Sequence, residues 1–513
     1  MARRTEWVVV GPVMILGLVL RLVEAGRTYL NADEIKYFFL ALGNFRQILN
    51  VGLQTDHPPL LFFLLHPVAS ITSSEIALRL IPVLAGVIYP WVVYRWLARV
   101  WNARAGLIAL FILTLSPNLI FLSAQIRGYT IELLFAALAL LFLESGLEEG
   151  SVRLMILFSL SLDLAILSEY SAAYFAGAVG IYFLLRAREL GVTPRLWAVW
   201  AMGQLSALVI YAALYRISIK PSLAMRQGYI DEFLRGGFPG AHQNLLLFSA
   251  LATLKQFAYA FSSIIVGIGA AVLFGAALVI LWKDSSPSSR TRNRIVATLL
   301  ATPFLFACTA ALLRLHPYAR SRHTVILCLF VAAGVGILLE RVFRARPWIA
   351  GFGAVALGLF WMFGAEPDQH NIPRSRNRRT SMIAAINYLQ SSVPPGSVVL
   401  ANKETARYLR FYLPDRRELR LATDFDSHDG PLMGVFRVAW RRWDFGDVDD
   451  FLGDLTSVRR EFGLNRDAPI WVLDGGFDSG IDSRLRKRFP GISLPEFHDF
   501  DGALTVFQTP PGM

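Results

Sequence analysis

Apolar residues fall into long runs separated by short polar or basic turns, at 7–23, 78–97, 105–123, 129–143, 152–168, 170–186, 196–215, 261–282, 295–313, 324–340 and 348–364. Each run approaches the roughly 20 residues a helix needs to cross a bilayer, where every backbone amide must be satisfied inside its own segment. The pattern predicts about eleven spans. Beyond Pro367 the runs stop: 366–380 reads as a polar, basic linker, and 381–513 alternates helix-like and strand-like pieces. These are SMIAAINYLQSSV, SVVLANK, ETARYLRFYL, ELRLAT, DVDDFLGDLTSVRREF, PIWVLDGG and ALTVFQT. The expected architecture is a polytopic α-helical membrane domain over 1–365 and a C-terminal α/β domain over 381–513, long enough to own a core.

Composition agrees with that class, at 55% hydrophobic and 17% charged residues. The net charge of +12 does not point to nucleic acid, because the cations sit in short turns between apolar runs. Arg95, Arg99 and Arg104 fill one such turn; Arg186, Arg188 and Arg195 another; Lys283, Arg290, Arg292 and Arg294 a third; Arg341, Arg344 and Arg346 a fourth. The positive-inside bias then places the N-terminus in the cytoplasm and the C-terminal domain outside it, in a multi-pass protein of the inner (plasma) membrane. One expected inner turn, ESGLEEGSVR at 144–153, is net acidic and lends this orientation no support. Arg3 and Arg4 precede the first run and no small-x-small site follows it, the pattern of an uncleaved signal anchor. Cys308 and Cys328 lie within expected spans, which argues against a disulfide framework.

With this orientation, the outer segments are 24–77, 124–128, 216–260 and everything from 365 onward. The first carries Asp33 and Glu34 ahead of EIKYFFLALGNFRQIL, a pattern suited to an interfacial helix, and then Asp56, His57, Pro58 and Pro59 before a second short helix. Two readings of the acidic pair stand side by side. Capping of a helix by Asn31 or Asp33, with carboxylates favoured by the helix dipole, explains it structurally. Proton chemistry at a membrane interface explains it functionally, since a low dielectric raises a carboxylate towards the range of a useful general base. Asp56 and His57 form a charge-and-imidazole pair beside a rigid corner. Gln125, Arg127 and Tyr129 crowd the turn at 124–128, suited either to snorkelling or to a phosphate and sugar hydroxyls. HPYARSRHT at 316–324 places Arg320, Arg322 and His323 on the side where the topology rule disfavours cations, and this reads as an anion site. Arg79, Glu169 and Tyr170 are further pocket candidates, and Asp163 is expected to pair with a basic or amide group inside the bundle.

The motifs ADE at 32–34, DHPPLLFFLL at 56–65, ALRLIPVLAGV at 77–87, SPNLIFLSAQIRGYTIELL at 116–134 and RHTVILCLFVAAGVGILL at 322–339 occur in order along the chain. Over residues 5–345 the chain resembles the GT-C glycosyltransferases of the protein O-mannosyltransferase and aminoarabinose-transferase superfamily, in its bacterial branch. The resemblance implies a helical bundle whose cavity binds a polyprenyl-phosphate-linked sugar, with a lipid, glycan or protein of the cell envelope as acceptor. It implies Asp33 as general base, with Glu34 its neighbour in the acidic motif. His57 stands where relatives often carry lysine. The Ala32-Asp33-Glu34 motif lacks DxD spacing, and no cofactor or essential metal is expected. A transporter or flippase of a lipid-linked or small polar solute, and a non-catalytic membrane scaffold, are the competing classes. Paired broken spans in two halves, the mark of many transporters, are not visible in the sequence.

Overall fold

The computed structural model describes residues 3–50, 55, 57–221, 235–283, 289–318, 322–345, 378–413, 432–433, 436–440, 445–476 and 480–513. The expected span at 348–364 and the strand ELRLAT at 418–423 lie outside the described residues, as do Asp56 and Arg320. The chain divides into two compact units: Met1–Leu22, Phe45–Leu64 and Arg79–Asp368 form one, and Val23–Asn44, Leu65–Leu78 and Gln369–Met513 the other.

The first unit is a helical bundle around a continuous apolar core that includes Trp96, Tyr129, Phe158, Phe175 and Tyr182. Among the described residues, six helices are long and apolar enough to cross a membrane: Trp7–Arg27, Glu75–Val100, Tyr129–Glu149, Pro194–Ile219, Ile264–Lys283 and Arg290–Leu312. The count is seven if a bent pair is taken as one span. The chain is a multi-pass membrane protein. The count expected from apolar runs is higher because some helices fall short of a full apolar span. Val152–Ser168 has 17 residues, while Ala172–Leu190 and Leu327–Ala345 carry charged residues in their last turns.

The run expected at 105–123 is not one helix. Ala103–Leu115 and Pro117–Ser123 meet at a bend of 61°. Pro117 has no amide to donate and disfavours helical geometry in the residue before it, so one helix ends at Ser116 and another starts there. Ser116 then caps the second helix through the amide of Leu119 and donates its hydroxyl to the Ala260 carbonyl at 3.0 Å. The segment 216–260, expected to be mostly loop, contains a further helix, Leu245–Phe261, capped by Asn244 and too short to read as a span.

The net-acidic turn near 144–153 is explained by its partners. The buried Glu144 accepts from Arg186 at 2.7 Å and from the Tyr182 hydroxyl, while Arg186 reaches Glu189 at 2.6 Å and Glu148 at 3.4 Å. Arg99 pairs with Glu148 at 2.8 Å and with Glu149. The acids are matched by cations from neighbouring turns, so their local excess is neutralised in three dimensions.

The second unit holds a mixed sheet in the order β2-β3-β1-β4-β6-β5, with β1 Val398–Ala401, β2 Leu432–Met433, β3 Phe436–Trp440, β4 Trp471–Gly475, β5 His498–Asp499 and β6 Leu504–Gln508. β1 runs parallel to β3 and β4, whereas β6 is antiparallel to β4 and β5. The expected helices appear as Arg379–Ser392, Lys403–Tyr412 and Val448–Glu461. β3 and the helix Ile481–Arg488 escape the sequence pattern; the latter buries only Ile481 and Leu485, one helical turn apart, in an otherwise charged stretch. The turn after β4 is a structural junction. Asp474 accepts the amides of Gly480 and Ile481 at 2.6 and 2.8 Å, and Asn402 binds Asp474 and the Gly475 carbonyl.

Candidate active site

In the second unit the acidic motif opens the helix Ala32–Ala41. Asn31 is its N-cap: its side-chain oxygen accepts the amides of Asp33 and Glu34, each at 3.1 Å, while Glu34 returns to accept the Asn31 amide at 3.0 Å. This reciprocal pattern satisfies amides that a helix start otherwise leaves without partners. The two neighbouring acids therefore have different duties. Glu34 is 1% exposed and committed to the cap, whereas Asp33 is half-buried on the first turn, where the helix dipole favours an anion. The expected interfacial helix ends at Ala41 and a separate short helix, Phe45–Leu49, follows, with Gly43 and Asn44 in the break.

In the first unit a second group forms around the turn 124–128, which is buried throughout. His57, just ahead of Pro58 and Pro59, holds Glu169 across its Nδ1 at 3.1 Å. Glu169 ends the helix Val152–Ser168 in extended backbone geometry, which turns its side chain away from the helix axis. Gly128 makes the approach possible: a Cβ there would stand 2.7 Å from the Ser168 carbonyl oxygen and 2.9 Å from Glu169 Oε1. The ring of Tyr129 lies edge-on to His57 at 6.2 Å and to His323 at 6.3 Å, and His316 adjoins His323 at 6.2 Å. Tyr174 donates its hydroxyl to the His323 carbonyl at 3.1 Å, fixing the short turn Arg322–Thr324. Tyr170 shares a hydrogen bond with Ser218 at 2.6 Å.

Charge in this group is unevenly distributed. Arg79 and Arg127 are buried at 1% and 2% exposure, and Arg322 is half-buried. Burial, reinforced by Arg322, His316, His57 and Arg127, pushes His323 well below the usual histidine range, so it stands as a neutral imidazole at pH 7. Two acids are buried as well, Glu169 and Glu132, the second accepting the Ser171 hydroxyl. Among the described residues, Glu169 Oε1, Glu132 Oε2 and Gln125 Oε1 are buried without a hydrogen-bond partner. Buried acceptors in that state cost stability unless a donor arrives, and sugar hydroxyls are such donors. No three His, Cys, Asp or Glu side chains among the described residues cluster as a metal site requires.

Comparison with known proteins bears on the fold. Residues 56–215 match the model of the dolichyl-phosphate-mannose-protein mannosyltransferase family. ArnT from Cupriavidus metallidurans bound to undecaprenyl phosphate matches the structure with a TM-score of 0.56 and 15% identity, over 98% of this chain and 98% of that one. The fold is that of the GT-C membrane glycosyltransferases. The Archaeoglobus fulgidus oligosaccharyltransferase shares this GT-C fold in its apo form, with a TM-score of 0.52 and 11% identity over 92% of this chain and 70% of that one. The same enzyme tethered to an acceptor peptide gives 0.51 and 10% identity, over 92% and 69%. No curated protein matches the chain by sequence.

Within this fold the structure brings together His57, Tyr129, Glu169 and His323 of the expected site residues, and sets Arg127 and Arg322 close enough to act on His323. Asp33 and Glu34 belong to the other compact unit. Asp163 accepts the Ser206 hydroxyl at 2.8 Å, a neutral donor where a basic or amide group was expected. The sequence reading passed over Glu132, Tyr174 and His316. Glu132 carried a usable signal, being an acid inside an apolar run like Asp163; Tyr174 and His316 carried none, since their role depends on where the Arg322–Thr324 turn lands.

Proposed function

We propose that the chain is a membrane glycosyltransferase that moves a sugar from a polyprenyl-phosphate donor to a hydroxyl of a cell-envelope acceptor in one inverting displacement. The observation that carries this reading is the group of Arg127, Arg322 and His323 beside the His57–Glu169 pair, cations and donors gathered where buried acceptors still lack partners. The match of residues 56–215 to a family named for a lipid-phosphate sugar donor supports the donor class, as does the shared fold with a protein bound to undecaprenyl phosphate. Asp33 takes the proton of the acceptor hydroxyl, the acceptor oxygen forms a bond to the anomeric carbon, and the bond from that carbon to the phosphate oxygen breaks with its electron pair. The departing phosphate is stabilised by Arg127 and Arg322 and by a ring N–H of His323, with Arg320 assigned the same role from sequence. Gln125, Glu169 and Glu132 accept hydrogen bonds from sugar hydroxyls; Arg79, Tyr129 and Tyr170 shape the pocket. Glu34 holds the helix that carries Asp33. This reading sets the N-terminus in the cytoplasm, with 381–513 as an extracytoplasmic domain beyond a linker at 366–380.

The test is transfer of label from polyprenyl-phosphate sugars into a cell-envelope extract by purified protein. Asp33→Asn is expected to lower turnover by about 100-fold or more while leaving donor binding intact, the loss typical of removing a general base. Undiminished labelling by Asp33→Asn, or solute uptake into vesicles in place of transfer, would overturn the proposal.

A further inference from the structure

The loop that carries Asp33 is held by side chains from the opposite end of the sequence. In the second unit the helix Lys403–Tyr412 turns Tyr408, Phe411 and Tyr412, spaced i, i+3 and i+4, towards it. The ring of Tyr408 meets Tyr29 edge-on at 5.4 Å, Phe411 meets Phe38 at 5.3 Å, and the Arg410 guanidinium lies 4.5 Å from the centre of the Phe39 ring. At the centre of this contact is one hydroxyl with both its capacities in use. Tyr412 accepts the amide of Leu30 at 3.0 Å and donates to Glu75 Oε1 at 2.8 Å. The other oxygen of Glu75 accepts from Arg379 Nε at 2.7 Å. Leu30 is fully buried and immediately precedes Asn31, the cap from which Asp33 is counted. Glu75 is itself buried, so it depends on these two donors for the hydrogen bonds that water would otherwise supply.

We propose that Tyr412 and Glu75 are positioning residues: through them the C-terminal part of the chain sets where the helix Ala32–Ala41 begins, and hence where the Asp33 carboxylate stands. The inference rests on the reading of Asp33 as general base. Its physical basis is that a helix start can slide or fray by a residue, and a displacement of about 1 Å at a reacting group costs on the order of 100-fold in rate. An aromatic contact alone fixes distance poorly. A hydroxyl bonded to a backbone amide and to a buried carboxylate fixes both distance and direction.

The experiment uses the full chain in detergent and compares Tyr412→Phe, which keeps the ring, with Glu75→Gln, which keeps an acceptor for Tyr412. Two readouts are taken: amide hydrogen exchange over residues 28–41 and steady-state transfer from a polyprenyl-phosphate sugar. The expected result for Tyr412→Phe is faster exchange at Leu30–Ile35, with turnover lowered by about 10- to 100-fold and the donor KM changed by less than about twofold. Glu75→Gln is expected to give the same pattern at smaller amplitude. Unchanged exchange in both variants would show that these bonds do not hold the loop and would overturn the inference. Faster exchange with unaltered turnover would overturn the catalytic role while leaving Asp33 as the base. A wild-type chain that transfers no sugar would instead remove the transferase reading and the catalytic half of this inference together, with exchange still deciding whether the hydroxyl holds the loop.

Discussion

Gly128 shows how little space separates the groups of the candidate site. Its missing side chain is what lets the buried turn lie against Ser168 and Glu169, and a methyl group there would press on a backbone carbonyl that has no freedom to yield. Overpacking of this kind costs about 1–3 kcal/mol. Gly128→Ala is therefore expected to displace Glu169 from His57 and to lower transfer about tenfold or more, as measured by initial rates at saturating donor. His323 makes a second prediction. Its imidazole is held neutral by burial and by the surrounding cations, so a phosphate arriving beside it favours the protonated form and binding takes up a proton. By linkage, donor affinity should rise as pH falls from neutral, and His323→Asn should flatten that slope. Equal slopes in the two proteins, measured by equilibrium binding of a polyprenyl-phosphate sugar, would count against an anion at this position. Neither residue announces its role in sequence: glycine in a turn and histidine in a basic cluster are common, and only the neighbours brought from residues 168–169 and 57 give them meaning.

At the scale of elements, the acidic end of the helix Tyr129–Glu149 shows two kinds of ion pair within one network. Arg186 and Glu144 are both almost fully buried, with side-chain exposures of 5% and 0%, whereas Arg99 and Glu149 remain 34% and 50% exposed. Removing one partner of a buried pair strands the other, a loss of about 3–5 kcal/mol, while an exposed pair contributes about 0–1 kcal/mol. Arg186→Gln should accordingly lower the thermal midpoint of the purified protein by several degrees and Arg99→Gln by far less. Similar shifts for both would show that burial does not separate them. The broken helix at Ser116–Pro117 belongs to the same scale. A proline inside an apolar run is visible in any reading of the sequence, but Pro12, Pro82, Pro90 and Pro303 also sit within helices here without dividing them. What distinguishes Pro117 is the serine before it, which caps the new helix and finds a carbonyl at the end of Leu245–Phe261 to bind.

Across the whole molecule, the second compact unit joins three stretches of chain that the sequence separates widely, and its stability bears on the loop it contains. Asp474, at the junction after β4, is pushed up to about 6 by burial, against the pull of the two backbone amides it accepts. A carboxyl raised in the folded state contributes stability that is full below its unfolded value near 4 and is lost as pH rises through about 6. Relative to Asp474→Asn, the wild-type unit should lose up to about 3 kcal/mol across that window, read from hydrogen exchange in β1, β4 and β6 of the full chain. A difference independent of pH would contradict this.

The sequence by itself determined the membrane class, the outline of the helical runs, the alternation of helices and strands in the C-terminal part, and both the acidic motif and the basic turn of the candidate chemistry. Hydrophobic period, run length and charge density are properties of neighbouring residues, so a local window contains them. Tertiary structure alone decided that Glu169 meets His57, that a net-acidic turn is neutralised from other helices, and that Tyr412 reaches the amide of Leu30. Each of these depends on which faces come into contact when the helices and the sheet pack. Spacing along the chain carries no record of a partner dozens to hundreds of residues away.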